Sequence, residues 1–248
     1  MNKTNKEPSR KLLAVFAHPD DETFICGGTL AKYASEGVDI TLVSATRGEM
    51  GRRMGNPVYI NRETMPAIRE QELRRACDSL GIQQLIFFDI RDKTVEFVDE
   101  IQLTNRIADL INEVNPDVIL TFHELLGGHP DHCAIGKATT AAAEITGRRE
   151  SLYFISYGDT MEHPEGFGYT RQDVVKVDVF AHLEAKLAAF RDHRCQTEID
   201  EWVWQNDQEA LARFGRYEYF LKGSEAARVQ EQEQEQDDLF VATCVAQH

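Results

Sequence analysis

LLAVFAHPDDETFICGGTLAKYASEGVDITLVSAT, residues 12–46, is the stretch whose reading decides the fold. It opens with an apolar run of strand length, 12–18, without the alternation of a half-exposed strand, as expected of a strand buried on both faces. The next segment puts Gly27, Leu30, Ala31 and Ala34 at helical spacing. A second apolar run, 38–46, follows. Strand, helix and strand in this order form a βαβ unit, whose strands lie parallel.

The same alternation continues outward. Leu73, Ala76, Cys77 and Leu80 share one face of a helix expected from Arg69, and Gly81 stops it before the strand QLIFFDI, 84–90. Leu103, Ile107, Leu110, Ile111 and Val114 line another helix, which Pro116 closes ahead of DVILTFH, 117–123. HPDHCAIGKATTAAAEI opens a fourth helix. Strands SLYFISY and VVKVDV, a helix over about 181–193 and RYEYFLK complete the ordered part. The fold class is α/β, a mostly parallel sheet with helices on both faces. One domain is expected over 1–222. The run VQEQEQEQDD makes 223–248 an acidic, low-complexity tail that cannot bury enough apolar surface to pack by itself.

The composition excludes several classes. A formal charge of −15 over 248 residues argues against nucleic-acid and anionic-membrane partners. No apolar stretch approaches the roughly 20 residues of a membrane span, and the first residues lack a signal-peptide core, so a cytoplasmic location is expected. The five cysteines are odd in number, scattered and without a CxxC pair, and are expected to be free, mostly buried thiols.

His18, Asp20 and Asp21 stand where the first strand turns into its helix, with Pro19 favouring that turn. His129, Asp131 and His132 occupy the corresponding corner after DVILTFH, with Gly127 and Gly128 before them. Either motif alone reads equally well as a turn and a helix cap. In a parallel sheet, however, both corners lie at the carboxyl edge, where such sheets bind ligands. Six metal-competent side chains then converge. Two histidines and one aspartate leave an open coordination position, the pattern of catalytic zinc, and also the facial triad of non-haem iron oxygenases. Dinucleotide binding is excluded, because it needs a glycine-rich turn where this chain has AHPDDE.

AHPDDETFICGGTLAKYASEG, TRGEMG, REQEL and GGHPDHCAIG together resemble the LmbE/PIG-L family of zinc-dependent N-acetylglucosamine deacetylases, which have Rossmann-like folds. Within the family the chain looks most like the bacillithiol biosynthesis deacetylases, which hydrolyse N-acetylglucosaminyl malate. A chitooligosaccharide deacetylase is the alternative. The resemblance implies one Zn2+ per chain, other divalent metals being acceptable to the same ligands, held by His18, Asp21 and His132. It implies Asp20 as general base, His129 as oxyanion stabiliser suited to a charged imidazole, and Asp131 as the carboxylate orienting a histidine. Arg69 would contact sugar hydroxyls, and Glu49 and Asp92 would be further substrate or supporting carboxylates. A homo-oligomer acting on a small N-acetylated amino sugar is expected. The mycothiol-type relatives carry a tyrosine where this chain has Gly127.

One further feature concerns the substrate. Residues 47–69 carry five arginines against two acids, a local excess of +3 in a chain of −15. Arginine suits bidentate carboxylate binding, which makes Arg52 and Arg53 candidates for the malyl group; the alternative is a solvated loop neutralised by neighbouring acids.

Overall fold

A computed structural model describes residues 9–158, 162–223 and 236–240. Seven strands form one sheet: β1 (Lys11–Phe16), β2 (Asp39–Ser44), β3 (Gln84–Phe87), β4 (Val118–Thr121), β5 (Leu152–Ser156), β6 (Val174–Asp178) and β7 (Tyr217–Lys222). Their order is β3-β2-β1-β4-β5-β7-β6. β3 to β5 pair in parallel, whereas β7 is antiparallel to both β5 and β6. The expected α/β class and mostly parallel sheet are therefore what the structure has.

Helices α1 (Asp21–Ser35), α2 (Met65–Leu80), α3 (Glu100–Val114), α4 (Pro130–Ile145) and α5 (Leu183–Asp192) flank the sheet. α1, α2 and α5 pack together, as do α3 and α4. The chain leaves β1 toward β2 and leaves β4 toward β5, in opposite directions across the sheet. Right-handed crossovers therefore place α1 and α4 on opposite faces and open a crevice between the carboxyl ends of β1 and β4. The core beneath is apolar and closed: Leu12, Leu13, Ala14 and Val15 of β1 and Val118, Ile119 and Leu120 of β4 are each 0% exposed.

The boundaries shift by a few residues. α2 begins at Met65 rather than Arg69, with Asn61 Oδ1 accepting the Thr64 N–H and Pro66 in the first turn. β3 ends at Phe87 because Asp89, at φ 58°, leaves the extended conformation. α1 is broken at Cys26, after which the buried Glu218 carboxylate accepts the N–H groups of Gly28 and Thr29 at 3.0 and 2.7 Å. Gly28 allows this approach, since a Cβ there would lie 2.7 Å from Val179 Cβ.

The last strand, β7, ends at Lys222. Much of the expected tail lies outside the described residues. Within it, 236–240 pack on the domain: Gln236 bridges Val175, Asp238 accepts from the Tyr33 hydroxyl at 2.9 Å, and Leu239 and Phe240 are buried. The apolar Leu-Phe pair supplies the buried surface that the acidic repeat lacks. Among the described cysteines, Cys26, Cys77 and Cys195 are free and buried and Cys133 is free and half-buried. No described helix is long and apolar enough to cross a membrane.

Candidate metal centre

The two corners meet as the sheet topology requires. His18 Nδ1 lies 3.1 Å from His132 Nε2 and 3.7 Å from Asp21 Oδ2, and His132 Nε2 lies 3.3 Å from Asp21 Oδ1. Donors bound to one zinc at about 2.0–2.2 Å in tetrahedral geometry stand about 3.3 Å apart. The His18–His132 and His132–Asp21 edges have that size, and His18 stands 3.7 Å from the other oxygen of the same carboxylate.

Each member is fixed from behind. His18 Nε2 is 3.2 Å from both Asp92 Oδ1 and Asp131 Oδ2. His132 Nδ1 lies 2.8 Å from the Gly127 carbonyl, and its ring stacks on Phe122 at 3.8 Å. With the outer nitrogens donating, each neutral imidazole turns a lone pair inward, the arrangement of a histidine ready to bind a cation. Asp21 is not an ordinary helix cap: its Oδ2 accepts the Ala17 and His18 N–H groups at 3.2 and 2.8 Å, which tie it to the end of β1. Gly127 gives His132 room, because a Cβ there would lie 2.9 Å from His132 Cβ.

Two groupings bring one donor atom of each residue within 4.8 Å of one another, His18 with His129 and His132, and His18 with Asp92 and Asp131, whereas His18 and His132 approach different oxygens of Asp21. In the second, the carboxylates are already engaged: Asp131 accepts the Lys93 and Val95 N–H groups at 2.7 and 3.1 Å, and Asp92 accepts that of Met50 at 2.8 Å. They serve better as supports for His18. In the first, His129 Nδ1 accepts the Asp131 N–H at 3.1 Å as the N-cap of α4, leaving only Nε2 to face the crevice.

The field of the cluster favours positive charge. Burial lowers the His18 pKa, but hydrogen bonds to Asp131 and Asp92 and the charges of Asp21 and Asp92 outweigh it and raise it to about 10. Burial raises Asp21, yet His132 and His18 bring it down to about 2. His129 behaves differently: burial, reinforced by His18 and His132, lowers its pKa. A charged ring would also turn Nδ1–H against the Asp131 N–H. The structure thus favours a neutral His129 donating from Nε2, where the sequence suggests a charged imidazole.

Asp20 stands beside the triangle, its side chain 16% exposed and its backbone at φ 122°, ψ −24°. Arg69, 3% exposed, bonds Asp20 Oδ2 and the Gly48 carbonyl at 2.8 and 2.9 Å and also contacts the Pro19 carbonyl. Its Nε is buried with no partner among the described residues. Arg69 is therefore a buried side chain rather than a surface one, with three of its donors engaged by Asp20, Gly48 and Pro19. Burial raises the Asp20 carboxyl to about 6 against the lowering charge of Arg69.

The other expected contacts divide. Glu49 Oε1 accepts the Asp92 N–H at 3.0 Å, which makes it a support for Asp92. Arg53 is bonded to Asp200 and the Gln196 carbonyl, so that it is not a free cation for a ligand. Arg47 bonds Glu70 and Asp89, and Arg62 bonds the Glu49 and Gly51 carbonyls. Arg52 remains exposed. Glu72, one helical turn after Arg69, accepts the Cys195 N–H at 2.8 Å. Sequence reading missed Glu22 and His193, a buried pair behind Asp20; the only local signal was an acid directly after the Asp-Asp pair.

Fold and site together define a doubly wound α/β protein with a metal-competent centre at its topological switch point. The family model described as PIG-L: GlcNAc-PI de-N-acetylase matches residues 13–143, and the chain belongs to that family. It is 41% identical, over 76% of its own length and 84% of the relative's, to the probable N-acetyl-alpha-D-glucosaminyl L-malate deacetylase 2 of Bacillus cereus. In structure it is similar to N,N'-diacetylchitobiose deacetylase of Pyrococcus horikoshii (TM-score 0.62, 22% identity, 87% of this chain and 85% of that one). It is as similar to GalB, the 4-carboxy-2-hydroxymuconate hydratase of Pseudomonas putida (TM-score 0.63, 19% identity, 91% and 100%). The fold alone therefore does not decide the reaction.

Proposed function

We propose that the chain is a zinc-dependent hydrolase that removes the acetyl group from an N-acetylglucosaminyl conjugate, with N-acetylglucosaminyl L-malate as substrate, the reaction used in bacillithiol biosynthesis. The observation that carries the reading is the triangle of His18, Asp21 and His132 with a strained, arginine-held aspartate beside it. Its support for the malate conjugate is the Bacillus relative's name.

His18, Asp21 and His132 would hold the metal in this reading. A zinc ion held there would supply the acidity of a bound water and the polarisation of the scissile amide carbonyl. Asp20 takes the proton of the attacking water and later delivers it to the departing amine. A carboxyl at about 6 suits both tasks near neutral pH. His129 donates from Nε2 to the oxyanion of the tetrahedral intermediate. Asp92 and Asp131 orient His18, and Glu49 orients Asp92. Arg52, an exposed arginine of the 47–69 loop, meets a malyl carboxylate in this reading.

The test is acetate release from N-acetylglucosaminyl L-malate, N-acetylglucosamine and N,N'-diacetylchitobiose. The malate conjugate should give the highest kcat/KM. A preference for diacetylchitobiose would move the assignment to chitooligosaccharides, and no acetate from any of the three would refute deacetylation of amino sugars.

A further inference from the structure

Behind the site lie two buried groups that the proposed chemistry does not use. Glu22 is 1% exposed and His193, which closes α5, is 0% exposed. His193 Nε2 stands 2.7 Å from Glu22 Oε1, although the two residues are 171 positions apart. The same oxygen accepts the Thr23 hydroxyl at 2.6 Å. The other, Oε2, accepts the backbone N–H of Asp20 at 3.1 Å.

Asp20 needs such a hold. At φ 122° it occupies a region that L side chains rarely adopt, and such a conformation persists only where the surroundings over-determine it. Arg69 grips the carboxylate and the preceding carbonyl; Glu22 grips the amide. A buried carboxylate in turn keeps its place only with donors around it. Thr23 and Asp20 belong to the same turn as Glu22, so they cannot fix that turn against the rest of the protein. His193 comes from another element, and its own backbone is pinned: its carbonyl accepts from Gln196 N–H and Thr197 Oγ1 at 2.9 and 3.1 Å. The adjacent Cys195 N–H is bound by Glu72.

We propose that His193 is a positioning residue for Asp20: it holds the Glu22 carboxylate against the Asp20 N–H and so sets the direction in which the Asp20 side chain faces the His18–Asp21–His132 triangle. The inference rests on the general-base role given to Asp20 above. His193 Nδ1, buried without a partner among the described residues, is consistent with a ring kept for the one bond made by Nε2.

The experiment compares His193→Phe, His193→Gln, Glu22→Leu and the double variant Glu22→Leu/His193→Phe. It measures kcat, KM, bound metal, melting temperature and the amide NMR resonance of Asp20. In His193→Phe, kcat should fall by about 10–100-fold, the usual scale for an outer hydrogen-bond partner, with KM and metal content unchanged and the Asp20 amide shifted. Glutamine can place a donor at the same reach, so His193→Gln should recover most of the rate. The double variant, which buries no charge, should lose no more than the worse single one and serves if His193→Phe does not fold. A normal kcat with only a lower melting temperature would overturn the proposal and leave a structural staple between α1 and α5. Multiplying losses in the double variant, or a glutamine variant as slow as the phenylalanine one, would also overturn it. If the parent releases no acetate from any amino sugar, the proposed function fails separately, and the Asp20 amide still reads the hold: a shift supports it and no shift refutes it.

Discussion

Replacing Arg69 with methionine tests whether the buried guanidinium tunes Asp20 or merely fills space. The side chain carries the positive charge 2.8 Å from Asp20 Oδ2 and also satisfies the Gly48 carbonyl. Removing one partner of a buried ion pair costs about 3–5 kcal/mol. Because Asp20 keeps 16% of its side chain exposed, the loss belongs near the lower figure. The larger signature is in the pH profile. A neighbouring arginine lowers a carboxyl by about 1–3 pH units, so its removal raises Asp20 from about 6 by that amount. As the base must be ionised to accept a proton, activity is lost as pH falls through this value, and the acid limb of kcat/KM moves to higher pH. A limb moved to about 8 leaves roughly a tenth of the enzyme competent at pH 7, with recovery by about pH 9. A cation in the triangle would lower both limbs, so the difference between variant and parent is the quantity read. Arg69→Lys should keep the limb near the parent's but reduce kcat, since an ammonium cannot span the same acceptors. Steady-state rates from pH 5 to 10, with thermal melts, provide the assay. An unmoved limb in Arg69→Met, or an equal loss at every pH, would refute the electrostatic role.

Other outcomes follow from the same geometry. His129→Phe should lower kcat by about 10²–10³-fold with metal content intact, because it removes an oxyanion donor and no ligand; loss of metal on analysis would make His129 a ligand instead. Asp92→Asn should weaken metal affinity by about 10–100-fold through His18, as measured by competition with a chelating dye; unchanged affinity would contradict the support role. Arg52→Ala should raise KM for the malate conjugate and spare neutral N-acetylglucosamine, whereas Arg53→Ala, which loses the Asp200 pair, should instead lower the melting temperature. The reverse pattern would return Arg53 to the substrate.

What could be read in advance was local pattern joined to a topological rule. Apolar runs alternating with helical spacing gave the strands and helices, and the parallel-sheet rule put His18 and His132 at one edge before any distance was known. Pairings between distant elements left no such trace. Glu22 and His193 meet only because α5 returns across α1, and β7 slips antiparallel between β5 and β6 without a local signal. The arginine-rich loop left two readings open for the same reason, and Arg47 and Arg53 follow the neutralised one. Counting charge over 47–69 does not see Glu70, Asp89 and Asp200, which neutralise Arg47 and Arg53 from elsewhere in the chain. Helix and strand ends moved where a single residue decided them, as Asp89 does for β3.

The most direct test of a metal-dependent deacetylase is a zinc titration of metal-stripped protein in the absence of oxygen, following acetate released from N-acetylglucosaminyl L-malate. Stripped protein should be inactive. Activity should rise linearly and break at about one zinc per chain. Asp21→Asn should need far more zinc to regain activity, and Asp20→Asn should bind zinc normally yet stay about a hundredfold slower or worse. Full acetate release from the stripped protein, or a product that forms only with oxygen, would contradict the account.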